Sequence, residues 1–135
     1  MRDGRTRRLS GSQGTGLTFE EFDEAYQACV VVLDGEAAGS EFHVTRRTVL
    51  VGRGPGVDVA VAHDSLSRQH AAIEFIGGGF RVRDLGSTNG LSVRGRRVEA
   101  APLEHGDRFI LGELTFQFLV EARDVEPETY ELTLD

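Results

Sequence analysis

The sequence predicts an all-β sandwich or barrel, on three observations. Short β-branched runs recur along the chain from Ala28 onward. Turn residues separate them, mostly at close spacing. Strands do not alternate with long helical patterns, which argues against a doubly wound α/β fold. The 135 residues amount to about one domain, and a 39% hydrophobic content is enough for one modest core.

The elements follow in order. Residues 1–27 read as a flexible N-terminal tail. Its first part, "MRDGRTRRLSGSQGTG", holds almost no apolar residue. "LTFEEFDEAYQAC" comes next, where Thr18 and Glu21 have the spacing of a capping box. A short helix fits this pattern, and so does a loosely attached extended segment. The folded domain is placed at residues 28–120. Its strand runs are "CVVVL", "EFHV", "TVLVG", "VDVAV", "HAAIEFI", "FRVRD", "LSVRG", "RRVEA", "RFIL" and "LTFQFLV". "FRVRD" and "LTFQFLV" alternate well enough to have one buried and one wet face. Residues 121–135, "EARDVEPETYELTLD", form an acidic C-terminal tail that either adds an edge strand or hangs free.

The formal net charge of -7 belongs to the flanks, since the central stretch is close to neutral. The concentrated basic face of a nucleic-acid binder is missing. No apolar stretch is long enough for a membrane span, and no apolar h-region follows the basic N-terminus. A single cysteine, Cys29, excludes an internal disulfide; it lies in an apolar run and is expected to be a buried structural thiol. A cytoplasmic setting is expected. Every cation is arginine, which fits a GC-rich genome and suits bidentate contact with phosphate.

Three loops carry the candidate chemistry. "VGRGPGVD" (residues 51–58) is glycine-rich but is followed by a strand, whereas a dinucleotide fingerprint opens a helix. "HDSLSRQH" (63–70) pairs Ser67 with His70, yet no nucleophile elbow surrounds the serine. His43, His63, His70 and His105 are too scattered for a metal set, so no metal and no cofactor are expected. "DLGSTNG" (84–90) needs only Asn89-Gly90 to turn a hairpin; Ser87 and Thr88 exceed that need. Taken together the loops supply two arginines, several hydroxyls and an asparagine amide. That set suits holding a phosphate, and no general base or metal accompanies it for cleaving one.

"GR" at 52–53, "SRQHA" at 67–71, "DLGSTNG" at 84–90, the Leu103–Asp107 stretch and "ILGELTFQF" at 110–118 together resemble the forkhead-associated (FHA) domain. The resemblance covers about residues 28–120. It implies a β-sandwich of about eleven strands with functional loops at one end, a non-enzymatic phosphothreonine-peptide adaptor in Ser/Thr kinase signalling, and a bacterial source. It implies that Arg53 approaches the phosphate or the adjacent peptide backbone, and that Ser67 donates its hydroxyl and backbone amide. Arg68 adds a further phosphate contact, Thr88 lies against the phosphothreonine, and Asn89 hydrogen-bonds the peptide main chain. Gly52, His70 and Gly90 are implied as scaffold. Ser65 stands where some members carry a basic reader of a downstream acid, so an acidic preference there is unsupported. Leu91 and Arg94 depart from the family's usual Thr and Asn. The alternative is a phosphorylation-independent interaction domain within a larger assembly. Both tails read as solubilising linkers. Self-binding of a tail phosphorylated at Thr6, Ser10, Thr15, Thr18, Thr129 or Thr133 is the other option.

Overall fold

The computed structural model describes residues 16–123. In chain order its elements are helix α1 (Phe19–Ala25) and strands β1 (Tyr26–Val32), β2 (Glu41–Val44), β3 (Thr48–Gly52), β4 (Val59–Ala60), β5 (Ala71–Ile76), β6 (Gly79–Asp84), β7 (Leu91–Val93), β8 (Arg96–Val98), β9 (Ala100–Leu103), β10 (Arg108–Leu111) and β11 (Leu114–Ala122). Two sheets result, one in the order β2-β1-β11-β10-β7-β8 and one in the order β4-β3-β5-β6-β9. This is the all-β sandwich expected, with eleven strands.

Period-two patterning decides which faces meet. In β1, Ala28, Val30 and Val32 point inward; in β11, Leu114, Phe116 and Phe118 do. Register pairs Val30 with Phe118 and Val32 with Phe116, so inward rows coincide across strands. Val49, Val51, Ile73, Phe80 and Val82 supply the second layer of the core. Cys29, expected to be buried, faces outward and is only half-buried, because it alternates with Ala28 and Val30. Partial burial pushes its thiol pKa up, and Glu41 and Glu121 push it further, so the thiolate is suppressed.

Two strand expectations change. "VDVAV" shortens to the two-residue β4, because Asp58 folds back onto β3. Its carboxylate accepts from Leu50 N–H at 2.8 Å while its own N–H donates to Leu50 C=O at 2.9 Å. "AAPL" becomes a separate strand, β9, that the proline had hidden. It is the edge of its sheet, the position where a strand proline is tolerated.

Ordered structure also begins ahead of Ala28. Thr18 caps α1: its hydroxyl accepts from Glu21 N–H at 3.0 Å, and the Glu21 carboxylate accepts from Thr18 N–H at 3.0 Å. Such a cap contributes about 1 kcal/mol. The helix is held by packing. Phe22 is 1% exposed and meets Phe80 edge-on at 5.1 Å and Phe75 at 5.7 Å. Arg123 donates to Asp23 from the far end of β11. These contacts put α1 over the end of the sandwich where β5 turns into β6. Thr18 therefore sits at that end as a helix cap. Thr6, Ser10, Thr15, Thr129 and Thr133 lie outside the described residues. No described helix is long and apolar enough to cross a membrane.

Three polar residues are buried among those described: Ser65, His70 and Glu74. Glu74 accepts from Arg83 and Arg81 on the outer face of its sheet. The Arg83 hydrogen bond, with Arg81 and against the effect of burial, holds its carboxyl below the usual range. The other two lie at the opposite end of the sandwich from α1, under the loops.

Candidate functional site

The loop end is built on one close approach. A Cβ added to Gly52 would overlap the Arg68 carbonyl oxygen and stand 2.9 Å from that of Ser67. Only glycine lets the β3–β4 and β4–β5 loops touch through their backbones. The contact is then laced: Arg53 N–H donates to Ser67 C=O at 3.0 Å and Gly54 N–H to Arg68 C=O at 3.3 Å. Arg53 Nε donates to Leu66 C=O at 2.8 Å. That bond fixes the side chain along the loop and leaves its terminal nitrogens at an exposed position.

His70 is 0% exposed and joins the next loop to these two. Its Nδ1 accepts from Ser67 N–H at 3.0 Å, so the ring proton sits on Nε2, which donates to Gly90 C=O at 2.9 Å. Both nitrogens are engaged with backbone and neither faces the Ser67 hydroxyl as a base. A Ser67–His70 nucleophile pair is therefore not formed. One implied contact also changes: the Ser67 amide is turned onto His70, so the group it offers outward is its hydroxyl. Ser67 Oγ accepts from Thr88 N–H at 3.1 Å, which leaves the hydroxyl proton to donate elsewhere.

"DLGSTNG" is shaped from inside. Asp84 accepts from Gly86 N–H at 3.0 Å, from Ser87 N–H at 3.1 Å and from the Ser87 hydroxyl. Ser87 Oγ in turn accepts from Gly90 N–H at 2.8 Å. Ser87 thus holds the arch, while Thr88 is carried outward to an exposed position. Burial alone would raise the Asp84 pKa. The hydrogen bonds from Ser87 and Gly86 and the nearby His70 outweigh it and leave the carboxyl below its usual value. A depressed carboxylate stabilises the fold above its unfolded pKa, and that contribution is lost as pH falls through the folded value. Asp84→Asn is accordingly expected to lower stability by about 1 kcal/mol at pH 7. Urea unfolding at stepped pH should show the gap to wild type closing below about pH 4. A gap that stays constant down to pH 3 would mean the carboxylate does not brace the loop.

Ser65 is a hub that sequence reasoning missed. Its carbonyl accepts from Asn89 Nδ2 at 2.9 Å, and its Oγ accepts from Glu113 N–H at 2.9 Å. Its N–H donates to His63 Nδ1 at 3.1 Å, with Oγ 2.9 Å from the same nitrogen. The Asn89 amide therefore braces the β4–β5 loop from the β6–β7 loop, a role beyond the ligand contact implied for it. Ala62, His63, Asp64, Ser65, Asn89 and Glu113 line an open groove of about 510 Å³ beside these bonds. Ser65 carries no sequence signal, because its partners lie up to 48 residues away. Ser87 could have been found: it follows Asp84 at the three-residue spacing of a side-chain-closed turn.

Arg53, Ser67, Arg68 and Thr88 are thus brought to one rim, with Asn89 beside them. Gly52, His70 and Gly90 lie beneath, as scaffold. Arg53, Arg68, Thr88 and Asn89 are exposed and Ser67 is half-buried. A cationic, hydroxyl-bearing rim of this kind can hold an anion with its donors. Among the described residues no group of His, Cys, Asp and Glu is arranged to hold a metal ion.

Comparison with known proteins gives a consistent result. The FHA domain pattern matches residues 49–112. The chain is 38% identical over 92 residues to the glycogen accumulation regulator GarA of Mycolicibacterium smegmatis, covering 68% of this chain. It spans 58% of that relative's length. It is 33% identical over 113 residues to the oxoglutarate dehydrogenase inhibitor of Corynebacterium glutamicum, covering 82% of this chain and 79% of the relative. Among solved structures, one described as a structural and functional analysis of phosphothreonine-dependent FHA domain interactions superposes with a TM-score of 0.63. That match has 26% identity and covers 69% of this chain and 95% of the other.

Proposed function

Because this chain belongs to the FHA-domain family, a family of phosphothreonine-binding modules, we propose that the rim of Arg53, Ser67, Arg68, Thr88 and Asn89 binds a phosphothreonine of a partner protein. The partner is marked by a Ser/Thr kinase, in the cytoplasm. The observation that carries this reading is the Ser67 hydroxyl. Its oxygen accepts from Thr88 N–H, which leaves its proton to donate to a ligand, and Arg53 and Arg68 on the same two loops are exposed. A phosphate monoester carries about −1.5 to −2 charge at neutral pH and accepts from all three side chains at once. Relatives named as a regulator and an inhibitor support an adaptor role with no chemistry of its own.

The test is calorimetric titration with one threonine peptide in phosphorylated and unphosphorylated form, and with the phosphoserine version. Binding is expected only for the phosphorylated forms, with phosphoserine weaker by roughly 10-fold or more, the worth of one methyl in a pocket. Affinity is expected to fall with ionic strength and below about pH 6, where the phosphate loses its second charge. Equal affinity for phosphorylated and unphosphorylated threonine would replace this reading with the phosphorylation-independent interaction domain.

Self-binding of a tail is limited by reach. Gly16 and Arg123 both lie at the α1 end, and the nine residues of β11 set the sandwich length at about 30 Å. A chain spans at most about 3.3–3.6 Å per residue. Thr15 and Thr129 fall short of the rim on that measure, and Thr18 is held in its cap. Thr6 and Thr133, ten residues from the described ends, just attain it.

A further inference from the structure

The outward faces of the two sheets differ. On the five-stranded sheet the charges are closed within the chain, where Glu74 accepts from Arg81 and Arg83. The six-stranded sheet carries an apolar centre instead. Residues that alternate with the inward Ala28, Val30, Phe116 and Phe118 point out. Cys29, Val31 and Leu119 therefore share the outer face, each half-buried. Ile110, on the adjoining β10, is 36% exposed.

Charge is laid out across these strands in a polar order. Register places Glu41, Val31, Gln117 and Arg108 in one row over β2, β1, β11 and β10. Glu41 and Arg108 are exposed and stand at the two ends of that row. Three strand spacings separate them, about 14 Å, so they are too far apart to meet within one chain. A two-fold axis along the strands, between β1 and β11, reverses the row. It sets Glu41 of each copy over Arg108 of the other, two opposite-charge pairs from one operation. Cys29 then lies over Leu119 of the second copy, and Val31 over Gln117. Glu121 comes over Gln27 at the solvated end of the patch. An axis across the strands, along the row, would instead stack Glu41 on Glu41 and Arg108 on Arg108. The charges thus select one symmetry and reject the other.

We propose that the outer face of the six-stranded sheet is a self-association surface, and that its partner is a second copy of this chain. Two such sheets stack about 10 Å apart with their strands within about 30° of each other. Four strands and four rows cover roughly 500 Å² per copy, about 1,000 Å² in all, the lower bound for a specific interface. The dimer is accordingly weak and forms at micromolar concentrations and above. An axis along the strands leaves the strand direction unchanged, so both loop rims stay open and face the same way. The surface does not include the rim, and the inference stands apart from the phosphothreonine reading.

The experiment is sedimentation velocity of the full chain from about 1 to about 500 µM, for wild type, Glu41→Arg and Arg108→Glu. Wild type is expected to shift toward twice the chain mass as concentration rises. Either substitution alone is expected to raise the dissociation constant roughly 10-fold or more, because symmetry turns one change into two like-charge contacts. An equimolar mixture of the two variants is expected to associate within about threefold of wild type, since every reversed charge then meets its opposite on the other chain. Far-ultraviolet circular dichroism is expected to be the same for all three proteins, as both positions are exposed. Cys29, the one cysteine of the chain, gives a second measurement on the wild type alone. The axis places the two thiols on either side of it, with their Cα atoms about 11 Å apart, so a short bismaleimide is expected to join two chains. A monomer at every concentration overturns the inference. So does a dimer that the single substitutions leave unchanged, a mixture of folded variants that fails to associate, or a dimer without the Cys29 cross-link.

Discussion

His70→Ala is expected to lower the unfolding free energy by about 2–4 kcal/mol, the range for removing a large buried side chain together with its hydrogen bonds. The ring is fully buried and both nitrogens are engaged, one with Ser67 N–H and one with Gly90 C=O. Alanine leaves a cavity and two backbone groups without partners. For a domain of this size the midpoint of thermal unfolding falls by on the order of 10 °C. Phosphopeptide affinity falls as well, because Ser67 and the β6–β7 loop lose their common brace. Thermal unfolding followed by far-ultraviolet circular dichroism measures the first effect. A loss below about 1 kcal/mol would mean that the loops hold their arrangement without the histidine.

Arg53→Ala is expected to weaken phosphothreonine-peptide binding by roughly 10- to 150-fold, equivalent to about 1.5–3 kcal/mol for a charge-assisted hydrogen bond. Two losses combine. The guanidinium no longer meets the phosphate, and its Nε no longer ties to the Leu66 carbonyl. Arg53→Lys separates them: the charge stays, the fork and the brace go, and an intermediate affinity is expected. Stability is expected to change little, since the side chain is exposed. Isothermal titration with the same peptide, at fixed salt, measures both variants. Wild-type affinity in Arg53→Ala would remove this residue from the site.

The sheet layers were legible because strand patterning is local. Alternation in "LTFQFLV" already names Leu114, Phe116 and Phe118 as inward, and the structure buries all three. The capping box at Thr18 was legible for the same reason: its two hydrogen bonds close within three residues. The docking of α1 was less so, because Phe19 and Phe22 become core only against Phe75 and Phe80, which come from strands more than fifty residues away. β9 was hidden by Pro102, which local propensity excludes and an edge position permits.

At the loop end, sequence by itself determined which residue types were available: the glycine at 52, the hydroxyls at 67, 87 and 88, the amide at 89 and the arginines at 53 and 68. It did not determine which of their atoms face outward. That is decided by bonds between loops twenty or more residues apart, Ser67 to Thr88, His70 to Gly90 and Asn89 to Ser65, which exist only once the two sheets stack. The same stacking made Ser65 a buried hub, whereas the Ser67 amide turns onto His70 within its own loop, three residues on. A side chain's partners within three or four residues follow from chain geometry, whereas its partners across a sandwich follow from which strands the core brings together.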